Sequence, residues 1–68
     1  MKHKRIEAIH ESLVNGQRRQ MVRQIDESEL YDFWSEYSIY LESVYSECAD
    51  RWNWFTDAVI SYDRIKHR

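Results

Sequence analysis

Apolar side chains recur every three to four residues through LYDFWSEYSIYLESVYSEC, Leu30 to Cys48, for more than five helical turns. At about 100° per residue, Tyr40, Phe33, Val44, Tyr37, Leu30, Cys48, Leu41, Trp34 and Tyr45 fall within an arc of about 140°, with Asp32, Ser35, Glu36, Glu42, Ser43 and Ser46 outside it. This predicts a long amphipathic central helix whose broad apolar face is aromatic rather than aliphatic. Upstream, Ile6, Ile9, Leu13 and Val14 share one side of a predicted helix from about Lys4 to Val14, with Ala8, Glu11 and Ser12 turned away. Gly16 follows as the residue that adopts a left-handed conformation without steric cost, the usual C′ position of a helix. A second helix from about Gln17 to Asp26 has only Met21, Val22 and Ile25 as an apolar side, too few for it to stand alone.

Asp26 or Ser28 suits the N-cap of the central helix, followed by acidic residues in the first turn, where the helix dipole favours them. Beyond Cys48 the period continues through Trp52, Phe55, Val59 and Tyr62, with Trp54, Ala58 and Ile65 widening the face. Phase alone permits one unbroken helix. Two observations favour a break: Leu30 to Lys66 would span about 55 Å, too long for a compact chain of this size, and Arg51 falls inside the apolar arc. The expectation is a fourth helix, Arg51 to about Lys66, capped by Asp50 and ending among Lys66, His67 and Arg68. With one Gly, no Pro, no repeat and no strict alternation, the chain reads as a single all-α domain over residues 1–68. It is expected to be a small bundle of three to four helices, with a short helix-turn-helix-like pair at its N-terminus.

Size then constrains the reading. Sixty-eight residues bury only about 60% of the unfolded chain's surface, and one Cys excludes an intrachain disulfide. Self-association is the remaining common means of stabilising so thin a core. Cys48, in the middle of the apolar arc, reads as a small core residue in a reducing compartment. No apolar run approaches the roughly 18 residues of a membrane span, and the basic N-terminus lacks the apolar stretch of a secretion signal. The expected location is the cytoplasm.

Charge is distributed unevenly. Residues 1–24 carry +4 and residues 25–68 carry −6, within a net charge of −2. In IHESLVNGQRRQMVRQI, two short helices flank a Gly turn, and the second turns Arg19, Gln20, Arg23 and Gln24 outward with Arg18 near its apolar edge. Arg and Gln read guanine and adenine edges bidentately, so this outline offers a DNA-binding alternative in which Arg18, Arg19, Gln20, Arg23 and Gln24 contact nucleic acid. Alternatively Arg19 and Arg23 pair with acidic residues such as Asp32 or Glu36, in the same chain or across a dimer.

His3, Glu7 and His10 share one helix side at i, i+4, i+7, but without a fourth ligand a solvated or partly buried face is the better reading, so no metal or cofactor is expected. Asp63 and His67 at i, i+4 form a weak surface pair. No phosphate-binding loop and no nucleophile beside a base argue for catalysis. Ten aromatics exceed what so small a core hides, and Tyr and Trp are enriched at binding hot spots. Tyr31, Trp34, Tyr37, Ile39, Tyr40, Tyr45, Trp52 and Trp54 are therefore candidate protein-interface residues. The function this supports is a non-enzymatic interaction protein, expected to form a homodimer.

Three strings, SLVNGQRRQM, LYDFW and ISYDRIKHR, are together similar to short helical accessory proteins encoded by tailed phages and prophages of enteric bacteria. That resemblance implies a small cytoplasmic product that binds a host or phage component. It carries no catalytic or binding residue across.

Overall fold

A computed structural model describes residues 4–46 and 48–67; the side chain of Cys48 lies outside the description, as does His3 of the considered metal set. Four α-helices follow one another: α1, Lys4–Val14; α2, Arg18–Arg23; α3, Leu30–Val44; and α4, Cys48–Lys66, with a 3₁₀ turn, Glu27–Glu29, before α3.

Each boundary has a local cause. Gly16 closes α1 at φ 79°, and the bonds Gly16 N–H to Leu13 O (3.0 Å) and Gln17 N–H to Ser12 O (2.8 Å) make the paired termination of a Schellman motif. The Asp26 carboxylate accepts from the Ser28 N–H at 3.1 Å and caps the 3₁₀ turn, which feeds directly into α3. α3 stops at Val44, short of Cys48, because Tyr45 turns to an extended conformation (φ −111°, ψ 113°). The expected break therefore exists, three residues earlier than Asp50, and Asp50 sits in the first turn of α4 rather than capping it. α2 ends at Arg23, not Asp26, with the Gln24 N–H bonded to Met21 O at 3.2 Å in a tightened final turn.

The helices form a four-cornered bundle in which α1 and α4 each pack on both α2 and α3. α2 and α3 thus stand at opposite corners. The core contains Ile6, Ile9 and Leu13 from α1; Met21, Val22 and Ile25 from α2 and the turn after it; Phe33, Tyr37, Tyr40 and Leu41 from α3; and Ala58 and Tyr62 from α4. Leu30, Trp34, Tyr45, Trp54, Phe55 and Ile65 are half-buried against it. Lys66 ties the end of α4 to the 3₁₀ turn, 3.8 Å from Glu27, with its ammonium 6.0 Å from the centre of the Tyr62 ring.

Four members of the predicted apolar faces are exposed: Val59 in the middle of α4, Val14 and Val44, each the last residue of its helix, and Trp52 near the start of α4. End positions have a neighbouring helix on fewer sides, so the face they belong to is not covered there. The accessible surface, 4893 Å², is close to the roughly 4,600 Å² of a compact monomer of 8.4 kDa. The aromatic residues are what closes the core: Tyr37 alone stacks on Phe33 at 5.6 Å, Tyr40 at 6.5 Å and Phe55 at 6.2 Å, and Trp34 meets Phe55 and Tyr62 edge-on at 5.8 and 6.0 Å.

Candidate functional site

At the centre of the bundle His10 is 5% exposed, and both of its ring nitrogens face tyrosine hydroxyls. Nδ1 lies 2.7 Å from Tyr37 Oη and Nε2 2.9 Å from Tyr45 Oη. The rings of Tyr37, Tyr40, Tyr45 and Trp54 surround the imidazole at 5.3 to 5.7 Å between centroids. Burial holds the His10 pKa below its ordinary 6.5, with Glu11 opposing weakly, so the imidazole is neutral at pH 7. A neutral imidazole has one donor and one acceptor. Tyr37, at 1% exposure, has no other acceptor for its proton among the described residues, so its O–H donates to Nδ1 and Nε2–H donates to Tyr45. Burial also raises the Tyr37 pKa, which keeps that donor protonated. The same bonds account for the extended turn at Tyr45, which swings its hydroxyl back to α1.

This network corrects two expectations for the interface. Tyr37 and Tyr40 belong to the core, not to a surface; a Tyr can be buried whole when its hydroxyl finds a partner, and Tyr37 finds His10. Trp34, Tyr45 and Trp54 are half-buried against the core. Only Tyr31, Ile39 and Trp52 stand in solvent, at 84%, 59% and 68% exposure.

The four flanks of the bundle differ chemically. Between α2 and α4, Arg18 Nη2 lies 3.0 Å from Asp57 Oδ2, Nε donates to Ser61 Oγ at 3.1 Å, and Ser61 Oγ donates to Asp57 Oδ1 at 3.2 Å, so a small polar network seals that side. Between α1 and α2 runs a polar cleft of ≈ 510 Å³ lined by Ser12, Asn15, Gln17, Gln20 and Gln24, in which the Gln24 amide donates to Ser12 Oγ at 3.0 Å. Between α1 and the end of α3 lies a cleft walled by Glu7, Glu11, Tyr40 and Tyr45. Between α3 and α4 lies an apolar groove of ≈ 160 Å³, lined by Ser38, Leu41, Arg51, Trp52 and Phe55, with Glu42 3.8 Å from Arg51 at one end.

The nucleic-acid set is split by this arrangement. Arg18 is committed to Asp57 and Gln24 to Ser12, leaving Arg19, Gln20 and Arg23 exposed on a helix of six residues. Arg19 and Arg23 have no carboxylate within ion-pairing distance among the described residues. Asp32 and Glu36 cannot reach them within one chain, because α3 and α2 are at opposite corners. Asp63 and His67 do meet, at 3.9 Å.

No protein-family model, curated protein or solved structure matches this chain. No helix among the described residues is long and apolar enough to cross a membrane.

Neither the His10 network nor the Arg18–Asp57 bridge is readable from the pattern of the chain. The partners are 27, 35 and 39 residues apart. The one signal for the first was a His inside an apolar stripe, Ile6, Ile9, His10, Leu13. The α3/α4 groove had a better signal, since Arg51 and Trp52 continue the period of a face that α3 alone does not cover.

Proposed function

We propose that this chain is a non-enzymatic interaction module that docks a helical protein surface in the α3/α4 groove, and that its first partner is a second copy of itself. The observation that carries the reading is Trp52, an indole 68% exposed beside a floor of Leu41 and Phe55. An exposed Trp next to an apolar floor is the residue type and setting of a binding hot spot. Trp52, Phe55 and Val59 recur at i, i+3, i+7, so one strip of α4 borders the groove, and Ser38 on α3 keeps its other wall low.

Self-association is compatible with the charges there. Glu42 and Arg51 pair with each other at 3.8 Å beside the groove, so a two-fold related copy brings no unpaired like charge against it from this pair. A typical interface takes about 800 Å² from each partner. That is about a sixth of the 4893 Å² surface, the share that one flank of a four-sided bundle offers. A non-enzymatic role is in keeping with His10, whose ring nitrogens both point at tyrosines inside the core. The resemblance to phage accessory proteins suggests a phage or host component as a further partner for the same groove.

Sedimentation equilibrium from about 1 to 200 µM tests the proposal. The expected result is a concentration-dependent dimer that Trp52→Ser weakens at least tenfold without lowering the melting temperature of the monomer. A wild-type chain that stays monomeric across the range overturns self-association, and a dimer indifferent to Trp52→Ser places the contact elsewhere.

A further inference from the structure

The arginines that α2 leaves without a carboxylate have a counterpart on the far side of the bundle. Residues 17–25, which include α2, hold Arg18, Arg19 and Arg23 and no acidic residue; α3 holds Asp32, Glu36 and Glu42 and no basic one. Arg18 is paired with Asp57 and Glu42 with Arg51. The remaining four, Arg19, Arg23, Asp32 and Glu36, are exposed, and none has an ion-pair partner among the described residues.

Each set lies on the outward side of its helix. At about 100° per residue, Arg19, Gln20 and Arg23 span an arc of about 100° turned away from Met21 and Val22. Asp32, Glu36, Ile39 and Ser43 span about 60° turned away from Phe33, Tyr37 and Leu41. Arg5 adds a third cation at the edge of the positive side, its guanidinium donating to Gln24 O at 3.1 Å just past the end of α2. Because α2 and α3 stand at opposite corners, the two sides face in opposite directions along one diagonal of the bundle.

That placement selects a partner. A copy related by a two-fold axis through either side sets like charge on like. A copy shifted along the diagonal in the same orientation sets the arginines of one chain against the carboxylates of the next, and the arginine stems then cover Ile39, which is exposed in the middle of the acidic side. A polyanion engages the arginines alone and is repelled by α3, whereas a second copy satisfies both sides. With the two sides at opposite ends of the molecule, such a contact is heterologous and repeats without closing.

We infer that the chain associates head to tail, the outward side of α2 on the outward side of α3 of the next copy, and forms open-ended chains at low ionic strength. The contact uses neither Trp52 nor the α3/α4 groove, so it stands or falls apart from the dimer proposed there.

Sedimentation equilibrium of the parent and of Trp52→Ser up to about 0.5 mM, in about 20 mM and about 300 mM sodium chloride, tests it. The expected result in both chains at low salt is an average mass that climbs past the dimer without levelling off, with association at least tenfold weaker at high salt. Arg19→Glu/Arg23→Glu and Asp32→Lys/Glu36→Lys should each lose this growth while melting as the parent does. The quadruple variant, which restores the pairing in reverse and keeps the net charge of −2, should regain it. The inference is overturned if the mass of both chains levels off at or below the dimer at low salt, or if either double variant grows as the parent does. A folded quadruple variant that fails to regain growth overturns it too. Absence of growth together with binding of a duplex oligonucleotide that Arg19→Glu/Arg23→Glu abolishes would overturn it in favour of nucleic acid.

Discussion

Replacing Tyr37 by Phe removes one atom from the middle of the bundle and leaves the stacked rings of Phe33, Tyr40 and Phe55 their partner. What is lost is the hydroxyl 2.7 Å from His10 Nδ1. That nitrogen then lies in a site 5% exposed with nothing to bond it, and an orphaned buried polar atom costs about 1–3 kcal/mol. Tyr45→Phe removes the partner of Nε2, but this bond is only part-buried, so water replaces the hydroxyl and the cost falls to about 0.5–1 kcal/mol. With an unfolding entropy near 2.1 cal/mol/K per residue, each kcal/mol lowers the midpoint of a chain this long by about 7 °C. Tyr37→Phe is therefore expected to melt about 7–20 °C below the parent at pH 7.5, and Tyr45→Phe less than about 7 °C below it. Circular dichroism melts of the parent and both variants give the comparison, and ¹⁵N shifts of the His10 ring give the tautomer. Equal costs for the two variants, or a ring protonated on Nδ1 in the parent, would refute the assignment of Tyr37 as donor to Nδ1 and of the ring proton to Nε2.

Three further outcomes follow from the same structure. Because burial lowers the His10 pKa, the folded chain resists the proton that the unfolded chain accepts; this contribution to stability is complete above pH 6.5 and is lost as pH falls through the folded-state pKa. A His10 ring titration with its midpoint above 6.5 would contradict this. Arg18→Ala should cost about 1 kcal/mol, a value already reduced for the partial exposure of the Arg18–Asp57 pair, and a double-mutant cycle with Asp57→Ala should recover roughly half of it or more as coupling. Arg19→Glu/Arg23→Glu, whose side chains meet no carboxylate, should stay within about 0.5 kcal/mol of the parent at low and high salt; a salt-sensitive loss in that variant, with none in Arg18→Ala, would reverse the roles given to these arginines.

The sequence by itself determined the helices and the inward side of each. Ile6, Ile9, Leu13, Met21, Val22, Ile25, Phe33 and Leu41 lie where their period puts them, Gly16 takes the one positive φ among the described residues, and Asp26 caps the turn leading into α3. These are properties of the local chain: side-chain direction along a helix repeats every 3.6 residues, and a cap acts within its own turn. The place of the α3–α4 break was less legible, because the apolar period runs through Tyr45 without interruption and only a hydroxyl reaching His10 on another helix gives that residue reason to leave the helix. Periodicity also treats Tyr37 and Trp52 alike as members of an apolar face. Which of them is covered depends on where the neighbouring helices lie and end, and the tertiary structure decides this by setting Tyr37 against two neighbouring helices, α1 and α4, and leaving Trp52 exposed beside one, α3. The polar partners, His10 with Tyr37 and Tyr45 and Arg18 with Asp57 and Ser61, were decided there as well, since nothing in a one-dimensional pattern records which donor and acceptor will be brought within 3 Å by helices packed from distant parts of the chain.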